Sequence, residues 1–200
     1  MAVVSGGTTL IDNGALDAGV PTGSLILLST QTASDNASIS FTTGLDSTYD
    51  QYQFHFINCH ARSSTVIFSF NGSTDNGSNY NVTKTTSVFT AYHGENDVAS
   101  GLLYLASNDL SQSTAFQGLS RNLQTNSDDN VSGVLQLFNP SSTTFVKHFI
   151  SRISGSADAG TNMSDEYVAG YFNTTSAVNA IQFKMTSGNF DGIIKMYGVS

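Results

Sequence analysis

Apolar residues recur along this chain in short blocks, and within most blocks they alternate with polar ones. A period of two sends successive side chains to opposite faces of a strand, so these blocks predict half-buried β-strands. Residues 24–30 read as a continuous apolar strand. Residues 37–42 alternate through Ile39 and Phe41. Residues 49–61 are longer: Tyr52, Phe54 and Phe56 face one way, with Gln51, Gln53 and His55 opposite. The apolar phase then flips at Ile57 and Cys59, which predicts either a β-bulge or entry into a region buried on both faces. Further strands are expected over 65–70, 80–90, 101–107, 131–138, 143–153, 167–172, 180–185 and 193–199. In the last, Ile194, Met196 and Gly198 alternate with Ile193, Lys195, Tyr197 and Val199 as a core strand.

Between the blocks lie turn formers. Residues 72–79, around Asn76-Gly77, read as a loop, Asn139-Pro140-Ser141-Ser142 as a turn, and Ser187-Gly188-Asn189 as a hairpin tip. Helical periodicity is poor. Val98, Leu102 and Leu105 could line one face of a short helix, but Gly101 interrupts it. Residues 1–23 are different in kind. Breakers at Ser5-Gly6-Gly7, Asp12-Asn13-Gly14 and Val20-Pro21-Thr22-Gly23 separate small apolar patches, so they read as an extended N-terminal arm. Residues 24–200 then form one domain. The predicted class is all-β: an antiparallel two-sheet sandwich, jelly-roll-like, with that arm in front.

Composition supports this reading. Only 11% of residues are charged, while Ser, Thr, Asn and Gly number 29, 22, 17 and 18 of 200. The usual fillers of exposed helix faces are scarce, and strand and turn residues abound. The net charge of −8 argues against nucleic-acid binding, because phosphate neutralisation needs clustered Lys and Arg and the seven basic residues are scattered. The longest apolar block, Leu25-Ile26-Leu27-Leu28, is too short to span a bilayer. With no basic-then-apolar leader, the chain reads as made in a cytoplasm, although its surface resembles that of a protein living outside cells. Cys59 stands alone, which excludes an internal disulfide and predicts a buried, inert thiol.

Candidate chemistry is thin, and no catalytic, cofactor-binding or metal-ligating residue is assigned. There is no Gly-x-Ser-x-Gly elbow. Cys59 and His60 are adjacent on a strand and so point to opposite faces. His55, His60, His93 and His148 lack ligand spacing. Asp75-Asn76-Gly77-Ser78-Asn79 and Ser127-Asp128-Asp129-Asn130 carry calcium-compatible oxygens, but turn chemistry accounts for both. Nothing selects a glycosidase pair from Asp165, Glu166, Asp191, Glu95 and Asp97.

Three stretches resemble virion structural proteins of tailed bacteriophages, especially those of marine bacteria. One is Tyr49-Asp50-Gln51-Tyr52-Gln53-Phe54-His55-Phe56-Ile57-Asn58. Another is Phe138-Asn139-Pro140-Ser141-Ser142-Thr143-Thr144 followed by Lys147-His148-Phe149. The most distinctive is Ala169-Gly170-Tyr171-Phe172-Asn173-Thr174-Thr175-Ser176-Ala177, running on through Ile181-Gln182-Phe183-Lys184-Met185 and Ser187-Gly188-Asn189 to Gly192-Ile193-Ile194-Lys195-Met196-Tyr197-Gly198. The likeness spans roughly residues 24–200 and is weaker over 91–130. It implies a non-enzymatic virion component without cofactors. Within that class the compact chain points to a capsid decoration or cement protein, a homotrimer on the head surface, with the major capsid protein and other copies of itself as partners and with neither nucleic acid nor membrane. Val3, Val4, Leu10, Ile11 and Leu16 of the arm are the candidate contact residues. A tail-fibre or tail-tip receptor-binding domain and a carbohydrate-binding module are the alternatives; the missing Trp counts against the second.

Overall fold

The computed structural model describes residues 3–5, 7–12, 15–16, 24–157 and 161–200. Three short strands, β1 (Val3–Ser5), β2 (Thr8–Asp12) and β3 (Ala15–Leu16), pair into a small antiparallel sheet of their own. The segment expected as an arm therefore carries local sheet structure. Twelve strands follow: β4 (Leu25–Asn36), β5 (Ile39–Phe41), β6 (Gln51–Ala61), β7 (Phe68–Ser73), β8 (Lys84–Gly94), β9 (Ser100–Tyr104), β10 (Gln117–Gly118), β11 (Asn130–Phe138), β12 (Lys147–Ala157), β13 (Asn162–Phe172), β14 (Ala180–Met185) and β15 (Phe190–Val199).

They form two antiparallel sheets, one of eight strands in the order β4-β15-β6-β11-β12-β13-β8-β9 and one of four in the order β10-β7-β14-β5. Setting aside β8, β9, β12 and β13 leaves eight strands. In chain order, the first, eighth, third and sixth are neighbours in one sheet, and the second, seventh, fourth and fifth in the other. That is the jelly-roll order of two interlocked Greek keys. The hairpins β8–β9 and β12–β13 are insertions that widen the larger sheet on one side.

Aromatic residues fill the space between the sheets. Phe183 on β14 lies within 5.1–6.3 Å of Phe41, Phe54, Phe56, Phe68 and Phe70, ring centre to ring centre. Two of these contacts, with Phe41 and Phe56, are edge-on, those with Phe68 and Phe70 are stacked, and that with Phe54 is tilted. Phe149 and Phe172 carry this core beneath the inserted strands through Phe70.

One local alternative is decided and two local expectations are corrected. The phase flip in β6 is a bulge: Ile57 and Asn58 both face out, Asn58 has φ 49°, and the register shifts against both neighbours. Val98, Leu102 and Leu105 line no helix; Leu102 lies in β9, and one 3-10 turn, Ala106–Asn108, follows. Ser187-Gly188-Asn189 closes no hairpin, because β14 and β15 belong to different sheets. It is a crossover, pinned where the Arg62 N–H donates to the Asn189 carbonyl (2.9 Å) and the Asn189 amide to the Asp35 carbonyl (3.0 Å).

Candidate functional site

The inserted strands give the eight-stranded sheet a broad outer face. Register fixes its rows, since directly opposed residues share a face. One row runs Tyr104, Phe89, Tyr167, Arg152, Val134 across β9, β8, β13, β12 and β11. The next runs Ser87, Ala169, Ile150, Gln136, and the third Thr85, Tyr171, His148. The middle row is small at Ser87 and Ala169, while its neighbours are aromatic. The result is a trough of about 400 Å³ floored by Ser87 and Ala169 and walled by Phe89, Tyr167, Val134 and Ile150. A second hollow, beyond Ile150 and Ala169, is walled by Tyr171 and His148.

The residues of one wall brace one another. Phe89 and Tyr167 stack at 4.6 Å with 6° between ring planes, and the Arg152 guanidinium lies 5.1 Å over the Tyr167 ring. Arg152 also grips Asp165 with two donors, Nε to Oδ1 at 3.0 Å and Nη2 to Oδ2 at 2.7 Å, and the Tyr167 hydroxyl donates to Oδ2 at 3.0 Å. Arg152 holds the Asp165 carboxyl below the usual carboxylate range. Beside the trough the charges of Arg152 and Asp165 therefore offset each other, and the trough's lining is mostly apolar.

The residues singled out in the sequence are dispersed. Val3 and Val4 are exposed on β1; Leu10 and Ile11 lie on β2 and Leu16 on β3, with Ile11 in register with Val3 and Leu16. Cys59 is buried, which pushes its thiol up to about 12, while the neighbouring His60 reaches the Asn126 carbonyl at 2.9 Å. The Asp75 loop satisfies itself. Its carboxylate accepts from the Ser73 hydroxyl (2.6 Å), the Asn79 N–H (2.8 Å) and the Asn79 amide (2.7 Å), and is held down at about 2. In the second loop, the Asp129 N–H closes a turn on the Asn126 carbonyl at 3.0 Å. Asp165 and Glu166 face opposite sides of β13; Glu166 is buried and accepts from the Thr90 hydroxyl at 2.6 Å. Asp191 pairs with Arg62 at 2.8 Å. Among the described residues, no three His, Cys, Asp or Glu side chains converge as a metal site would require.

Sequence reasoning missed the trough. Its trace was present in consecutive apolar runs, Phe149-Ile150 and Tyr167-Val168-Ala169, where a strand solvated on one face would alternate. No protein family, characterised protein or solved structure matches the chain. The resemblance to phage virion proteins therefore stands on its motifs alone.

Proposed function

We propose that this protein is a non-enzymatic structural component of a bacteriophage virion, a decoration or cement protein that binds the outer head surface through an apolar face. The observation that carries this reading is the outer face of the inserted strands. It joins a preformed trough, exposed Phe89 and Ile150, and an internally neutralised ion pair. Apolar patches rimmed by polar residues mark protein contact sites. The jelly roll supports the same class, being common among viral shell proteins, although lectins share it and fold alone does not assign function.

The test adds purified protein to heads lacking it and measures bound copies. Ile150→Asp should lower occupancy at least about tenfold while melting like wild type, because one charge on an apolar contact is a large penalty. Undiminished binding of that variant would remove the face from the mechanism. Adsorption of the free protein to host cells, with competition against infection, would replace the cement reading with the receptor-binding one.

A further inference from the structure

A sandwich of two open sheets has four edges, and three of these are blunted in the ways edges usually are. In the smaller sheet, β10 and β5 are two and three residues long. In the larger, β4 is interrupted by two register irregularities against β15 and carries Asp35. The fourth edge, β9, has none of these devices. Its sequence, Ser100-Gly101-Leu102-Leu103-Tyr104, contains no charge, no proline and no bulge. Leucines stand exposed on both of its faces, Leu102 at 71% and Leu103 at 44%.

The backbone polarity of this edge is fixed by its partner. The Leu105 N–H donates to the Val88 carbonyl at 2.9 Å, and the Gly94 N–H to the Ala99 carbonyl at 2.7 Å. Bonded pairs alternate along an antiparallel ladder. Residues 99, 101, 103 and 105 therefore turn their backbone groups toward β8, and Ser100, Leu102 and Tyr104 turn theirs outward. Beyond β9, the edge of β8 is covered: Asp109 accepts from the Val88 N–H at 2.8 Å and the Leu110 carbonyl from the Thr86 N–H at 2.9 Å. The opposite edge, β4, also exposes leucines, Leu25 and Leu27, but its register against β15 is broken beside them, whereas β9 leaves an uninterrupted run of outward backbone groups beside Leu102 and Leu103.

We propose that β9 is an interface between two copies of this chain, pairing antiparallel with its own counterpart across a two-fold axis at Leu102. This goes beyond the cement reading and does not depend on it. The strand is self-complementary in that register. Leu102 opposes Leu102 of the second copy, and Ser100 opposes Tyr104, so every outward residue exchanges both of its bonds. On the other face Leu103 opposes Gly101, in the closer kind of pair, and the large side chain fills the space that the glycine leaves. A chain of net charge −8 repels its copies, and β9 offers them a contact without charge. One added strand pair is a small interface, so the contact is weak, with a dissociation constant of ~10 µM to 1 mM.

Analytical ultracentrifugation of the full chain up to ~1 mM should show a reversible monomer–dimer equilibrium. Leu102→Lys places two like charges face to face and should raise the dissociation constant at least about tenfold with an unchanged melting temperature. In the dimer the two Leu102 Cα atoms lie about 5.5 Å apart, within disulfide reach. Mild oxidation of Leu102→Cys should thus yield a covalent dimer. Val98→Cys, more exposed but remote from the axis, should not, and the buried Cys59 takes no part. A monomer at every concentration, a dimer or trimer indifferent to Leu102→Lys, or equal cross-linking of the two cysteine variants would each overturn the proposal.

Discussion

Lys84 and Lys147 flank Phe172 in one row across β8, β13 and β12, and neither has exposed surface. Each ammonium finds one backbone acceptor, the carbonyl of Ala115 for Lys84 at 2.5 Å and that of Thr174 for Lys147 at 3.0 Å. Lys84 also lies 5.8 Å over the Phe172 ring. A buried cation without a carboxylate is costly, and burial pushes the Lys84 amine from 10.5 down to about 7. Lys147 shifts in the same direction. Between about 7 and 10.5 the unfolded chain binds the Lys84 proton and the folded chain does not. Stability therefore rises with pH through that window and is level below it. Lys84→Met keeps the bulk and removes the charge. It should add about 1 kcal/mol at pH 7 and flatten the rise, as read from denaturant unfolding between pH 6 and about 10.

At the scale of elements, the bulge in β6 is shared with β15. Asn58 adopts φ 49° and its N–H donates to the Ser132 hydroxyl at 3.0 Å, while Gly192 on β15 has φ 145° directly beside Cys59. A Cβ at Gly192 would meet the Cys59 Cα at 2.9 Å and the Asn58 carbonyl oxygen at 3.1 Å, both backbone atoms. Gly192→Ala should cost roughly 2–4 kcal/mol in denaturant unfolding. Asn58→Gly needs no such rearrangement, because its left-handed conformation suits glycine; the expected change is within about 1 kcal/mol. Equal losses in the two variants would show that the bulge is not pinned from β15. The flip from Phe56 to Cys59 was legible in the sequence, but a bulge and a doubly buried stretch leave the same trace. Only the neighbours' register separates them.

The whole molecule is a jelly roll widened by two inserted hairpins, and the widening creates the apolar outer face. Binding through such a face answers to salt differently from binding through charge. Occupancy on heads should hold or rise between about 0.1 and 1 M sodium chloride, where screening removes most surface electrostatics. A steep fall over that range would assign the contact to charged rims instead. Removal of residues 2–20 tests the N-terminal segment separately: lost binding with an unchanged melting temperature would give Val3, Val4, Leu10, Ile11 and Leu16 the contact role expected of them, and full binding would leave the contact with the sandwich.

The sequence by itself determined the class of the fold and most strand positions. Alternation at Tyr52, Phe54 and Phe56, or at Ile194 and Met196, is a local consequence of which side of a strand meets the core. It also marked the turns, since Asn139 and Gly188 carry the positive φ their positions require. Tertiary structure alone decided which strands pair. The chain passes between sheets at Ser187-Gly188-Asn189 with the residues that would close a hairpin, because turn chemistry specifies a reversal and not a partner. It decided too that Phe89, Tyr167 and Ile150, distant in sequence, gather on one outer face, and that β9 ends its sheet. Both depend on strand order, which is set by long-range packing rather than by any local pattern.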